Sequence, residues 1–265
     1  ELIEEYGILR GFIFGFMLSK NLIGGLIGMF IGHTFDKGRA LDFSNFSGSK
    51  GSENERQTAF FYTSFSVMGY MAKANGLVSK HEIQFANAYM DKLSLQGELR
   101  QQAQDAFREG KMAGFPLNDR LTKFKQICGN RHDLLLLFLE IQIQVAFADG
   151  MLDSDERQAL HTIAQHLGFS SKELDNLLEM IIAGAQFHQG QSGKSSQSQL
   201  DNAYKVLGVS SDTSEKDIKK AYRKLMSQHH PDKLVAKGLP PEMMEVAKQK
   251  AQDIQGAYEL VNKNK

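Results

Sequence analysis

The chain has one cysteine, four prolines, no tryptophan and no excess of either charge. Each shortage excludes something. Cys128 alone cannot form a disulfide within the chain, which fits a reducing compartment and leaves it a packed, idle thiol. Lys plus Arg and Asp plus Glu balance at 31 each, so the basic excess that a nucleic-acid coat needs is absent. Few prolines and few β-branched runs point to a mostly helical chain. No nucleophile–base pair and no phosphate loop is visible, so nothing marks an enzyme or a cofactor site. A length of 265 residues accommodates about two domains plus an anchor or linker.

What is present begins with an apolar run. Residues 11–31 read GFIFGFMLSKNLIGGLIGMFI, 21 residues of which eleven are Leu, Ile or Phe. That is enough for a helix to cross a bilayer core. Each of the eleven favours insertion by about 0.3 to 0.6 kcal/mol, against about 2.5 to 3.5 kcal/mol for Lys20. Insertion is therefore favourable by a small margin. Glu1, Glu4 and Glu5 precede the run with only Arg10, and His33, Lys37 and Arg39 follow it. The positive-inside rule then places the bulk of the chain in the cytoplasm. Gly7, Gly11 and Gly15, and again Gly24, Gly28 and Gly32, form two small-xxx-small stripes. Such stripes let helices approach closely in lipid, so a homodimer through the membrane helix is expected.

Residues 44–55 form a Gly/Ser-rich connector, and an amphipathic helical pattern occupies 56–187. Leu134–Leu139 is apolar all round and should be a central core helix. Ala74-Asn75-Gly76-Leu77-Val78-Ser79-Lys80-His81-Glu82 matches Ala148-Asp149-Gly150-Met151-Leu152-Asp153-Ser154-Asp155-Glu156 at an offset of 74 residues. The shared unit is helix, Gly-containing turn, cap, helix, with Ser79-x-x-Glu82 and Asp153-x-x-Glu156 as helix-start caps. These loops resemble the TerB-like helical domain. Some members are proposed to bind metal through acidic loop residues, which would draw on Asp149, Asp153, Asp155 and Glu156. Capping and solvation is the favoured reading, and no metal is assigned. Residues 188–199, HQGQSGKSSQSQ, should be a flexible linker.

Residues 200–265 carry three helix signals. The first spans about 200–207 and ends at Gly208. The second opens after Thr213 and Ser214 and runs to His229, with an apolar stripe at Ile218, Ala221, Tyr222, Leu225 and Met226. Its other face carries Lys216, Lys219, Lys220, Arg223 and Lys224. The third starts near Pro241 and carries Met244, Ala247, Ala251, Ile254 and Tyr258. The second and third should pair antiparallel through these stripes. Between them lies a loop that opens His230-Pro231-Asp232-Lys233.

Ala203–Val209, Ile218–Leu225, His230-Pro231-Asp232-Lys233 and Ala257-Tyr258-Glu259-Leu260, in this order, resemble the J-domain signature. The resemblance implies binding to a DnaK-class heat-shock chaperone and stimulation of its ATP hydrolysis. It assigns partner contacts to His230, Pro231, Asp232 and Lys233, and to Lys216, Lys219, Lys220, Tyr222, Arg223 and Lys224. The physics agrees. A basic helix face steers toward an acidic partner, and Pro231 stiffens the turn that presents His230 and Asp232. With the apolar run at 1–43, the TerB-like middle and the C-terminal J module, the chain resembles the DjlA-type membrane-anchored co-chaperones of Gram-negative bacteria. Fold class is then all-α, and location a single pass of the inner membrane. The alternative is a membrane scaffold or envelope-stress sensor whose middle domain binds a partner or metal.

Overall fold

A computed structural model describes residues 52–74, 80–148, 150–189 and 196–265. The apolar run, the two glycine stripes and the cap at Ser79 lie outside these residues. Among the described residues there are eleven α-helices and no strand. No helix among them is long and apolar enough to cross a membrane.

The middle domain holds seven helices: α1 (Glu53–Met71), α2 (Lys80–Lys92), α3 (Gly97–Gly110), α4 (Leu117–Cys128), α5 (His132–Ala146), α6 (Ser154–Leu167) and α7 (Ser171–Gln189). Ser52 starts α1 with a reciprocal capping box, its hydroxyl accepting from Glu55 N and Glu55 accepting from Ser52 N. Two of the orphan amides at the helix start are thereby satisfied. The α5 helix is the expected central element, buried from Leu134 to Ile143. Around it Phe60, Phe124 and Phe138 pack edge-on or tilted, with centroids 4.6–5.9 Å apart, the offset geometry that ring quadrupoles favour.

Helices α1 and α3 cross at glycines. A Cβ on Gly69 would fall on the Phe107 carbonyl, 2.9 Å from its carbon, and one on Gly110 would fall 2.7 Å from the Ser66 carbonyl carbon. Next to this crossing Arg120 pairs with Glu109 at 2.6 Å, and Tyr62 donates to the same carboxylate. Burial lowers the Arg120 pKa and raises that of Glu109, so each holds the other in its charged form against desolvation.

The second half of the repeat forms as expected. Asp153 Oδ1 accepts from Glu156 N at 2.8 Å and from Asp155 N at 2.9 Å, while Glu156 Oε2 accepts from Asp153 N at 3.0 Å. Of the carboxylates weighed as metal ligands, those of Asp153 and Glu156 thus cap α6, Asp155 lends its backbone N–H, and Asp149 lies outside the described residues. Gly168, at φ 96°, ends the same helix in the left-handed region that glycine adopts without strain.

Four helices follow: α8 (Ser196–Val206), α9 (Glu215–Gln228), α10 (Pro231–Lys237) and, after a 3₁₀ turn at Pro241–Met243, α11 (Met244–Lys263). Three expectations need correction, the first being the connector set at 44–55, whose residues 53–55 open α1 behind the Ser52 cap. Of the expected linker 188–199, residues 188–189 end α7 and 196–199 open α8. The apolar segment from Leu200 seeds a helix, and propagation into Gln and Ser is cheap once a nucleus exists; Gln197 donates to Asp201 one turn on. The segment between α9 and α11 is also not a plain loop, because it contains α10.

The C-terminal module is more than tethered. Its own core gathers Ala203, Tyr204, Leu207, Ile218, Ile254, Ala257 and Val261, and Ala183 and Phe187 of α7 join it. In the other direction Leu234, Leu239, Met243, Val246 and Ala247 enter the core of the middle domain. Helix α11 is therefore shared, its first turns facing the middle domain and its later turns facing α8 and α9. The expected pairing of α9 with α11 is present, with Tyr222 stacked on Tyr258 at 4.2 Å.

Candidate functional site

The site grows from the end of α9. Ser214 caps the start of this helix by accepting from Asp217 N. Lys216, Lys219, Lys220, Arg223 and Lys224 recur at i, i+3, i+4, i+7 and i+8, one face of a 3.6-residue helix. All five are exposed, and none is in an ion pair among the described residues. A row of unpaired cations with this spacing attracts an acidic surface at long range.

Tyr222 lies apart from this row. It is half-buried against Tyr258, so its place is in the packing of α9 on α11. Its apolar spacing in the sequence already marked it as an inward residue.

At His229 the helix stops, and the chain turns. His230 takes φ −65° and ψ 120° as the residue before α10, and Pro231 occupies the first helical position. Proline suits that position because its missing N–H would have no partner there. The residue before a proline is also pushed out of the helical region, which explains why α9 and α10 cannot merge. His230, Asp232 and Lys233 are exposed, and Pro231 is half-exposed between them. Lys233 Nζ donates to Ser227 Oγ at 2.9 Å, bracing the turn against the last turn of α9. Asp232 lies in the first turn of α10, where a carboxylate is favoured by the helix dipole.

The far end of α10 is equally defined. Gly238 sits at φ 111°, and Leu239 N donates to Leu234 O at 2.9 Å while Gly238 N donates to Val235 O at 2.9 Å. Leu234 and Leu239 are fully buried, giving the hydrophobic contact that accompanies this type of helix end. Arg56 Nε donates to Lys237 O at 3.1 Å, and Lys237 pairs with Asp133. Pro231 at the start and Gly238 at the end were legible as signals for this short helix.

Sequence reasoning missed the residues beneath the turn. His229 and Glu140 are each 1% exposed. His229 Nε2 donates to Glu140 Oε2 at 3.0 Å, and His229 Nδ1 donates to Leu225 O at 2.9 Å. Both ring nitrogens thus face acceptors, a carbonyl on one side and a carboxylate on the other. Lys250 Nζ lies 3.4 Å from the other carboxylate oxygen. Burial alone would push the Glu140 carboxyl up, but His229 and Lys250 outweigh it and hold it down at about 2. A lone Glu inside the run LLLLFLEI was the available signal: a carboxylate on an otherwise apolar helix needs a partner.

Three family models match the chain in succession. One described as the Co-chaperone DjlA transmembrane domain matches residues 6–42, Tellurite resistance protein TerB matches 63–179, and the DnaJ domain matches 202–265. The exposed turn and basic helix fall inside the last of these, so the chain is a membrane-anchored co-chaperone of the J-domain class. Full-length relatives narrow this. The co-chaperone protein DjlA of Photobacterium profundum is 50% identical, over 98% of this chain and 99% of its own length. Those of Yersinia pestis and Vibrio cholerae are 48% and 50% identical, over 99% and 98% of this chain and the same shares of their own lengths. The chain belongs to the DjlA co-chaperone family. No solved structure matches it.

Proposed function

We propose that this protein stimulates ATP hydrolysis by a DnaK-class chaperone at the cytoplasmic face of a bacterial inner membrane, and does no covalent chemistry itself. The observation that carries the reading is the presentation of His230-Pro231-Asp232. The tripeptide stands exposed at a stiff helix start, immediately beyond a row of five exposed cations. The cations bring an acidic partner surface to the turn. There Asp232 offers a fixed negative charge to a basic partner group, and His230 offers hydrogen bonds. The ATP belongs to the partner. Residues 11–31 supply a single membrane pass, and the stripes at Gly7, Gly11, Gly15, Gly24, Gly28 and Gly32 pair two copies.

The test is steady-state ATP turnover by a DnaK-class chaperone with the full chain in detergent or liposomes. Wild type should stimulate turnover, and His230→Gln should abolish it. Raising salt should increase the concentration needed for half-maximal stimulation, because steering by exposed cations is screened. Absence of stimulation by wild type refutes the reading.

A further inference from the structure

The turn that meets the chaperone starts one residue after a side chain buried in another domain. His229 closes α9 and inserts against Glu140 of α5, with Lys250 of α11 completing the cluster. Leu234, Leu239 and Met243, which follow the turn, are fully buried in the middle domain's core. Asp133 and Arg56 of the middle domain hold Lys237 at the end of α10. The tripeptide is thus fastened to the middle domain on both sides, at 229 and at 234–239. Yet His230, Asp232, Lys233 and the five cations of α9 all remain exposed. The contact fixes the turn and leaves its recognition side chains uncovered.

The attachment is made at two places. Beside the cluster a cleft of about 660 Å³ opens between α9 and the faces of α5 and α7, with His132, Glu173 and Lys224 among its walls. The seam closes on one side around Glu140 and α10, and on the other where α8 packs on α7 and Ala183 and Phe187 join the module's core. A charge cluster buried at such a point is a poor source of stability, but it admits one arrangement only: a carboxylate left without its cations is strongly disfavoured. It therefore selects a single seating of the module.

We propose that the middle domain is a seat for the J module, and that Glu140, His229 and Lys250 are positioning residues which hold the tripeptide in the orientation that the chaperone binds. The proposal rests on the J-module reading above. It assigns the TerB-like domain a task within the same chain, that of raising the fraction of molecules whose turn is ready to dock. When only a fraction of molecules is competent, the apparent dissociation constant rises by the inverse of that fraction, while the complex once formed is unchanged.

The experiment measures chaperone ATP turnover against concentration of the full chain, with wild type, Glu140→Gln and His229→Gln. Both variants should raise the half-maximal concentration, about five-fold if a fifth of the molecules remain seated, with maximal stimulation retained. A second arm separates positioning from damage to the fold. Asp133→Cys and Lys237→Cys are added to Glu140→Gln, and the two thiols are bridged with a short bismaleimide. Bridging should return the half-maximal concentration to the wild-type value. Amide hydrogen exchange of residues 225–239, measured without chaperone, should show faster exchange in Glu140→Gln.

Unchanged half-maximal concentration in both variants, with exchange already accelerated, overturns the proposal. So does a bridged protein that stimulates less than the unbridged one, which would make the seat a brake. These outcomes are distinct from failure of the co-chaperone reading, in which wild type itself does not stimulate. In that event the exchange arm still reads the seat directly.

Discussion

Replacing Gly69 with Ala sets two effects of opposite sign against each other. Alanine is the better helix former by about 1 kcal/mol, so propensity alone predicts a more stable α1. Packing predicts the reverse. The new Cβ would fall on the Phe107 carbonyl, 2.9 Å from its carbon and 3.2 Å from Phe107 Cα. All three atoms are backbone of α3, so no side chain can swing away and the helices must separate. Overpacking of this kind costs about 1–3 kcal/mol, and more where backbone has to move. Because the overlap is with backbone, we expect the top of that range or beyond, and a net loss of about 2 kcal/mol. For a domain of this size that lowers the unfolding midpoint by about 4–8 °C. Gly256→Ala is the matched comparison. Its Cβ would meet only Phe187 Cε1 at 3.8 Å, an ordinary contact, so propensity should prevail and the protein should gain up to about 1 kcal/mol. Gly110→Ala should resemble Gly69→Ala, and the double variant should lose less than the sum, because one displacement relieves both overlaps. Thermal unfolding of the full chain in detergent, followed by far-ultraviolet circular dichroism, measures all four. A Gly69→Ala protein as stable as wild type would refute the crossing geometry.

Glu140 also predicts a response to acid. Its folded pKa, about 2, lies below the ordinary carboxylate value. Its contribution is therefore complete above about pH 4.5 and is lost as pH falls toward 2. In an acid titration of stability, Glu140→Gln should flatten the slope within that window, and an unchanged slope would contradict the buried cluster. Cys128 is fully buried, and burial pushes its thiol up to about 12. Alkylation by iodoacetamide at neutral pH should proceed only as fast as the domain opens, and rapid labelling of the native protein would count against this packing.

The helices of the module and the core helix at 134–139 could be read from periodicity, because each buries one continuous stripe or is apolar all round. The exposed cationic row of α9 and the His230-Pro231-Asp232 turn were legible as local features for a related reason: their spacing and order are local. The seat was not legible. Leu234, Leu239 and Met243 are as apolar as any residue that packs within its own module, and nothing in their spacing says which core receives them. Glu140 and His229 are 89 residues apart, and each alone has bland uses. Their pairing comes from the way α11 is divided between two cores. The linker was over-read at 196–199 because composition describes a segment by itself, whereas a helix seeded at Leu200 extends into neighbours that would not form one alone.

The hydrogen bond from Arg56 to Lys237 has a consequence in the dimension normal to the bilayer. Residues 32–52 separate the proposed pass at 11–31 from the start of α1, and these twenty-one residues span at most roughly 75 Å. Arg56 holds the end of α10, whose seven residues add only about 10 Å before His230 is reached. With the arginine side chain included, the tripeptide has a radius of action on the order of 100 Å from the end of that pass. On the function proposed above, a chaperone recruited by it is delivered within that layer, where any substrate on the same membrane meets it at a raised effective concentration.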